Sequence, residues 1–165
     1  MNVAMRDADL KDAPAIAAIY APYVRSSAVT FELEPPNAGE MERRMCSVLE
    51  AGLPYIVAET KEGKVAGYAY AAPFRPREAY RFTVEDTVYL GAEFVGRGLG
   101  RQMLSALIDR CRMAGRKQMV AVIGGDNPAS IAMHRRLGFV QTGVLQGVGF
   151  KLGEWHDVTL MQLGL

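Results

Sequence analysis

The segment of this 165-residue chain with the clearest chemical meaning contains three glycines at alternate positions, Gly96, Gly98 and Gly100. The preceding residues 83–90 are typical of a β-strand, and an amphipathic helix pattern begins at Leu99. A glycine loop between a strand and a helix lets backbone N–H groups and the positive end of the helix dipole approach an anion. Arg97 and Arg101 add positive charge. The loop therefore predicts a site for a ligand that carries phosphates.

Two common nucleotide-binding motifs do not fit this loop. The dinucleotide motif Gly-x-Gly-x-x-Gly requires glycine at position 101, where this chain has Arg101. A Walker A motif that begins at Gly91 requires Lys and then Ser or Thr, where this chain has Arg97 and Gly98. The alternative without a ligand is a tight strand-to-helix turn, but three alternate glycines exceed what such a turn requires.

Glu85 is a carboxylate within the apolar strand before the glycine loop. Because side chains alternate along a strand, it shares a face with Thr83, Thr87 and Tyr89. A half-buried carboxylate can have a raised pKa and accept a proton from an ammonium group, directly or through water. The alternative is a glutamate on the solvent-exposed face of the strand.

A later helix begins with Asn127 as its cap and Pro128 at its first position. Asn127, Ser130 and His134 fall on one face of this helix. Histidine can donate a proton near neutral pH, so His134 is a second candidate for acid–base chemistry. The alternative is a histidine that only packs or lies on the surface.

The rest of the chain supplies the elements that must position these residues. Apolar patterns predict strands near 3–6, 55–59, 65–71, 83–90, 118–123, 139–144 and 157–162. Helical spacing and caps predict helices near 10–25, 38–51, 98–113 and 127–138. The order β-α-α-β-β-β-α-β-α-β-β indicates one α/β (α+β) domain over residues 1–165. We expect a mixed central sheet of six to seven strands flanked by about four helices.

Composition limits the functional class. Apolar residues make up 50% of the chain and the formal net charge is +1, without a basic run, which argues against a nucleic-acid platform. The two cysteines, Cys46 and Cys111, lie far apart and form neither a metal motif nor a disulfide framework. No apolar run approaches the ~20 residues of a membrane span, and residues 1–7 lack the features of a signal peptide. We therefore expect a cytoplasmic protein that binds neither nucleic acid nor membrane.

Several segments together resemble the GNAT acetyltransferases, and specifically their phosphinothricin and methionine sulfone/sulfoximine N-acetyltransferase subgroup. The resemblance covers the whole chain. The glycine loop resembles that of the superfamily, and the segments that resemble the subgroup include Thr30-Phe31-Glu32, Phe74-Arg75-Pro76-Arg77, Thr83-Val84-Glu85, His134 and Trp155-His156-Asp157-Val158. The Tyr-x-x-Thr-Val-Glu-x-x-Val-Tyr spacing from Tyr80 and the Trp-His-Asp-Val segment are more specific than the glycine loop. The chain departs from the family at Val95, because the family usually has Gln or Arg three residues before the central glycine.

The resemblance implies that the chain binds acetyl-CoA as a cosubstrate and needs no metal. The backbone of the strand before the glycine loop would then bind the pantetheine arm and the thioester, at Val88, Tyr89 and Leu90. The phosphates would lie on the loop, at Gly96, Arg97, Gly98, Leu99, Gly100 and Arg101. Two residues of the later helix would complete the cofactor site, Asn127 and Ser130.

The resemblance also implies catalytic and substrate-binding roles. Glu85 would be the general base, and His134 would protonate the departing thiolate, where other members of the superfamily have tyrosine. The amine substrate would contact five residues, Phe31, Glu32, Arg75, Arg77 and Tyr80. For the two loop arginines the alternative is a solvated surface position without a function.

The expected activity is acetylation of the α-amine of a small amino acid analogue by direct attack in a ternary complex. Methionine sulfone, methionine sulfoximine and phosphinothricin are the substrates that the resemblance favours. The alternatives are another amine (a polyamine, an aminoglycoside or a peptide N-terminus) and a non-catalytic acyl-CoA sensor. The resemblance also implies a homodimer.

Overall fold

The structure, a computed structural model, describes residues 3–165. Seven strands are present among them: β1 (Val3–Asp7), β2 (Tyr55–Thr60), β3 (Val65–Pro73), β4 (Thr83–Leu90), β5 (Gln118–Gly124), β6 (Val140–Lys151) and β7 (Glu154–Gly164). Four α-helices accompany them: α1 (Ala13–Ser26), α2 (Ala38–Glu50), α3 (Leu99–Met113) and α4 (Pro128–Arg136). The predicted order of strands and helices is confirmed.

The seven strands form one mixed sheet in the order β1-β2-β3-β4-β5-β7-β6. Every neighbouring pair is antiparallel except β4 and β5, which are parallel. The parallel pairing covers only Thr83–Glu85 against Gln118–Val120. From Asp86 onward, β4 pairs with β3 but not with β5. The two central strands therefore diverge toward the glycine loop.

The helices cover both faces of the sheet. Helices α1 and α2 pack together over β2, β3 and β4, and α3 packs on the opposite face of β3 and β4. The core side of α3 consists of Leu99, Met103, Leu104, Leu107, Ile108 and Cys111, all buried. Each large side chain buried in this way contributes about 1.5–3 kcal/mol to folding. This burial fixes α3, and with it the glycine loop, against the end of β4.

The start of α1 differs from the sequence prediction. A helix from Leu10 was expected, but Leu10–Asp12 is a 3₁₀ turn and the α-helix begins at Ala13. Asp9 and Asp12 cap this turn reciprocally, and Pro14 occupies the first turn of the α-helix, where a missing N–H costs nothing. The predicted start was therefore wrong by three residues.

A charged cluster connects this turn to the sheet. The guanidinium of Arg6 donates to both carboxylate oxygens of Asp12 at 2.7 and 2.8 Å and also to Glu59. Asp12 is only 5% exposed. The hydrogen bonds from Arg6 hold the pKa of Asp12 below its usual range, although burial acts in the opposite direction.

The last two strands are longer than predicted. Expected bounds were 139–144 and 157–162, but β6 runs to Lys151 and β7 begins at Glu154. Pairing shifts between Gln141 and Gly143 and between Leu145 and Gly149, so the alternation of apolar residues is broken there. None of the described helices is both long enough and apolar enough to cross a membrane.

Candidate active site

A cavity of about 770 Å³ lies where β4 and β5 diverge. Its walls come from β4, β5, the glycine loop and α4, with Tyr23 of α1 at one side. Predicted site residues that line it are Glu85, Val88, Tyr89, Leu90, Gly96, Gly98, Gly100, Arg101, Asn127, Ser130 and His134. The fold thus brings together most of the residues predicted for the cofactor and for catalysis.

The glycine loop has the backbone geometry that an anion site needs. Gly96 and Gly98 have φ angles of +77° and +79°, in the left-handed region that favours glycine, and Gly98 is the N-cap of α3. A side chain at Gly100 would place its Cβ 3.2 Å from the sulfur of Met133. N–H groups of the first helical turn have no acceptor within the helix. The loop therefore presents free donors at the cavity without side chains in the way.

The other three predicted loop residues have different environments. The Leu99 side chain is 1% exposed and packs in the core, so only its backbone is available to a ligand. Arg97 is exposed on the loop, whereas Arg101 lines the cavity together with Arg136, a residue that the sequence analysis did not single out.

The edge of β4 toward β5 is open along the cavity. Val88, Tyr89 and Leu90 line it, and none of them pairs with β5 in the described chain. The hydroxyl of Tyr23 donates to the carbonyl of Leu90 at 2.7 Å. An extended ligand with amide groups can pair with such an edge as an added strand does. These features, together with the free loop donors, fit a long molecule with phosphates at one end.

Asn127 caps α4 as predicted. Its Oδ1 accepts a hydrogen bond from the backbone N–H of Ser130 at 3.1 Å. Both residues line the cavity. The capping hydrogen bond uses Oδ1 and leaves the amide N–H₂ group as a donor.

Glu85 lies at the point where β4 and β5 separate. It is half-buried, and burial raises its pKa, with a further increase from the negative charge of Asp86. The positive charge of Arg75 opposes this increase but does not cancel it. A carboxylate with a raised pKa is a better proton acceptor for an ammonium group than an ordinary glutamate.

His134 has a buried partner that the sequence analysis missed. Its Nε2 lies 3.0 Å from Oδ2 of Asp86, and its Nδ1 lies 2.8 Å from the carbonyl oxygen of Ser130. The side chains of His134 and Asp86 are 5% and 3% exposed. Burial lowers the pKa of His134, but the hydrogen bond and charge of Asp86 and the Ser130 carbonyl outweigh it, so the pKa is raised.

A second cavity of about 420 Å³ lies on the other face of the sheet, beneath α1 and α2. Arg44 lines this cavity. Tyrosines form much of the rest of its wall: Tyr20, Tyr55, Tyr68, Tyr70 and Tyr89. Thr87 and Tyr89 line both cavities. Glu85 lines the first of the two cavities and is on the same face of β4 as these two shared residues.

The predicted substrate residues Phe31 and Glu32 contact different parts of the molecule. Glu32 forms an ion pair with Arg44 of the second cavity, with 2.6 Å between Oε1 and Nη2. The ring of Phe31 fills the space beside Gly149 and lies 6.3 Å from the ring of His156. Glu32 therefore contacts α2, whereas Phe31 packs against β6 and β7.

The other three predicted substrate residues lie on the exposed loop before β4. Arg75 stacks on the ring of Phe74 at 5.1 Å, and Tyr80 contacts the same ring edge-on at 5.8 Å. Arg77 is exposed. Of these residues, Arg75 acts on Glu85 through its charge.

The missed residues left two signals in the sequence. Asp86 is a second acid in an apolar strand and, by alternation, points to the face opposite Glu85. Tyr68 and Tyr70 alternate on β3 and therefore share a face. Arg44 gave no signal, because an arginine on a helix surface is ordinary.

Within residues 3–165, no three His, Cys, Asp or Glu side chains are placed to hold a metal ion. The site is a cleft for a long ligand with phosphates at one end, and two ionisable residues, Glu85 and His134, line it.

Comparisons with known proteins agree with this description. The model of the acetyltransferase (GNAT) domain family matches residues 5–160. A phosphinothricin N-acetyltransferase from Alcaligenes faecalis is 52% identical over 159 residues, which cover 96% of this chain and 79% of that protein. An L-methionine sulfoximine/L-methionine sulfone acetyltransferase from Pseudomonas aeruginosa is 41% identical over 165 residues, covering 100% and 96%.

A solved structure gives the same result for the fold. The crystal structure of a GNAT superfamily phosphinothricin acetyltransferase from Sinorhizobium meliloti in complex with acetyl-CoA superposes with a TM-score of 0.97 at 46% identity. The match covers 100% of this chain and 89% of that one. The chain therefore belongs to the GNAT acetyltransferase family and is an N-acetyltransferase that uses acetyl-CoA.

Proposed function

We propose that this enzyme acetylates the α-amine of small amino acid analogues, with methionine sulfone, methionine sulfoximine and phosphinothricin as its substrates. The observation that carries the proposal is that the two cavities share Thr87 and Tyr89, on the face of β4 that also carries Glu85 of the first cavity. A cavity of about 420 Å³ suits a small molecule better than a peptide or a long polyamine. The two relatives reported above are named as acetyltransferases of these analogues.

In the proposed reaction, bound acetyl-CoA supplies an activated acetyl thioester. The chain holds it by the open edge of β4 and the N–H groups at the start of α3. Arg101, Arg136 and Arg97 supply positive charge near the phosphates. Asn127 and Ser130 line the same cleft and contact the arm of the carrier.

Glu85 and His134 carry the protons in this proposal. Glu85 takes a proton from the ammonium group of the substrate, directly or through water, so that the neutral amine attacks the thioester carbon. The attacking nitrogen releases its second proton to water as the C–S bond breaks and the amide forms. His134 gives a proton to the departing sulfur. No covalent intermediate with the enzyme is required, because both substrates occupy cavities that meet at β4.

Charged and hydroxyl groups around the second cavity recognise the analogue. Arg75 and Arg77, on the exposed loop before β4, hold its carboxylate through forked hydrogen bonds, with Tyr80 on the same loop. Glu32 acts on the cavity through its ion pair with Arg44, and Phe31 is its neighbour in the chain. Phenol groups inside the second cavity are suitable donors for sulfone, sulfoximine or phosphinate oxygens.

Thiol release from acetyl-CoA tests this function directly. The acceptors are L-methionine sulfone, L-methionine sulfoximine, phosphinothricin, spermidine and a short peptide. Turnover with the first three acceptors and not with the last two is the expected result. Turnover with spermidine or the peptide alone would overturn the proposed substrate class, and no turnover despite acetyl-CoA binding would favour a sensor.

The two loop arginines provide a test of substrate recognition. Replacement of Arg75 and Arg77 by alanine should raise KM for the amino acid about tenfold or more, because each forked contact to a carboxylate contributes about 1.5–3 kcal/mol. Acetyl-CoA affinity should not change. The double change Arg110→Ala and Arg112→Ala, on the surface of α3, is the matched control. Equal losses of affinity for both substrates would contradict the assignment.

We also propose that the enzyme is a homodimer that works in the cytoplasm, where acetyl-CoA is available. The β6–β7 hairpin supports a dimer, because β6 is an edge strand and the hairpin exposes large apolar side chains: Val140, Val144, Leu145, Val148, Phe150, Leu152 and Trp155. A second copy can pair with the same surface around a twofold axis.

Light scattering of the purified protein tests the dimer. The double variant Phe150→Ser and Trp155→Ser should be monomeric, because these rings are 57% and 70% exposed and contact each other at 5.1 Å. Met113→Ser, at a side chain that is 88% exposed on α3, is the matched control and should remain dimeric. A monomeric wild-type protein at micromolar concentration would contradict the proposal.

A further inference from the structure

The pair formed by Asp86 and His134 is the most unusual group of charges in the molecule. Both side chains are almost completely buried, and they come from β4 and α4 on opposite sides of the large cavity's base. Burial of two ionisable groups is unfavourable unless they form hydrogen bonds with good geometry. The Nε2–Oδ2 distance of 3.0 Å provides that geometry.

Each ring nitrogen of His134 faces an acceptor. The carbonyl oxygen of Ser130 only accepts hydrogen bonds and lies 2.8 Å from Nδ1, closer than the Ser130 hydroxyl at 3.3 Å, so we assign a proton to Nδ1. An ionised Asp86 also only accepts, so Nε2 carries a proton as well. A ring with both protons is the charged imidazolium. His134 also lies in the last turn of α4, where the helix dipole favours a positive charge.

We propose that Asp86 is a positioning residue that fixes the orientation of the His134 ring and keeps it doubly protonated through neutral pH; the departing sulfur takes a proton from this ring when one of its two N–H groups leaves its acceptor. This inference rests on the proposed function for the role of His134, and on geometry alone for its protonation state. Asp86 acts through the ring and does not itself contact the substrate.

Among the groups around the pair, Asp86 is the one that raises the pKa of His134 most. From α3, the thiol of Cys111 faces Asp86, but burial raises the pKa of Cys111 to about 12, so it is neutral. Strand β5 has no ionisable side chain between Gln118 and Gly124. On α4 itself, Arg135 and Arg136 are exposed and screened by water. Burial lowers the pKa of His134, but the hydrogen bond and charge of Asp86 and the carbonyl of Ser130 outweigh it, so the pKa is raised, as described above.

Nitrogen-15 NMR of the imidazole rings tests the protonation state without any activity. The chain has only two histidines, His134 and His156, so a His156→Gln variant assigns the signals. In the wild-type protein at pH 7.5, His134 should show two protonated nitrogens. A single protonated nitrogen would overturn the proposal even if no variant can be purified.

Asp86→Asn is the matching variant, because the amide keeps the size of the carboxylate and removes its charge. The titration midpoint of His134 should fall, and the alkaline limb of the kcat profile should move to lower pH with it. We expect the loss in kcat at pH 8 to exceed the loss at pH 6 about tenfold, with little change in KM for acetyl-CoA. Asp109→Asn, at an exposed carboxylate of α3, is the control and should change neither readout.

A double-mutant cycle separates this role from a general effect on folding. In a His134→Gln background, Asp86→Asn should add little further loss of kcat, because the two changes act on one proton donor. An additive loss, or an unchanged His134 midpoint in Asp86→Asn, would overturn the proposal. A different result would overturn the proposed function and not this inference: His134 is charged and its charge depends on Asp86, but the protein transfers acetyl to no amine.

Discussion

Replacement of Glu85 by glutamine tests the central acid–base assignment. Glutamine keeps nearly the same volume and removes the ability to accept a proton. General base catalysis contributes roughly 10²–10⁴ in rate, which corresponds to about 3–5 kcal/mol in the activation free energy. We therefore expect kcat of Glu85→Gln to fall at least about a hundredfold at pH 7.5. KM for acetyl-CoA should stay within about threefold, because the glycine loop and the edge of β4 are unchanged.

The pH dependence gives the same test a second readout. The wild-type rate should rise with pH through the pKa of Glu85, which burial and the charge of Asp86 place above the usual value for glutamate. This limb should be missing from the Glu85→Gln profile. Glu78→Gln, at a side chain that is 86% exposed on the preceding loop, is the matched control and should keep the wild-type profile.

The variant should not lose activity through unfolding. A carboxyl group whose pKa is raised in the folded state stabilises the fold below its unfolded pKa and loses that contribution as pH rises through the folded value. At neutral pH the ionised Glu85 is therefore unfavourable to folding, and Glu85→Gln should have an equal or higher Tm. A kcat within about threefold of wild type across the pH range would refute the reasoning.

Two further changes address the framework of the site. Asp12→Ala should lower the free energy of unfolding by about 2–3 kcal/mol at neutral pH, because it removes the hydrogen bonds from Arg6. Since the folded pKa of Asp12 is depressed, chemical denaturation should show this difference above about pH 4 and lose it as pH falls further. Gly149→Ala would place a Cβ 2.2 Å from the ring of Phe31, so we expect a loss of about 1–3 kcal/mol and a higher KM for the amino acid. An unchanged KM and stability would mean that Phe31 moves freely, and Gly143→Ala, with open space around it, is the control.

The order of elements was predictable because apolar periodicity records burial directly. The α3 pattern of Leu99, Met103, Leu104 and Leu107 gave a helix whose predicted core side is buried in the structure. The glycine loop was predictable for the same kind of reason, since few roles other than close backbone approach require alternate glycines. Features of this kind depend on residues that are close together in the sequence, so the sequence alone can predict them.

Long-range pairs were less predictable. Asp86 and His134 are 48 residues apart, and Glu32 and Arg44 are 12 apart, so neither pair appears in local spacing. Strands β6 and β7 were shortened in the prediction because their bulges interrupt the period of two. The helix start at Leu10 was misplaced because a 3₁₀ turn uses the same capping residues as an α-helix.

The short parallel pairing of β4 with β5 has a mechanical consequence. Strands β1 to β4 and strands β5 to β7 form two half-sheets that share only three residue pairs, from Thr83 to Glu85. Local opening is easiest where few cross-strand hydrogen bonds must break, so this seam should have the fastest amide exchange in the sheet interior. A ligand that lies in the cleft contacts both halves and adds about 2.7 kcal/mol to stability at a hundredfold excess over its Kd. Bound cosubstrate should therefore hold the two half-sheets together, and amide exchange along this seam should be slower with acetyl-CoA than without it.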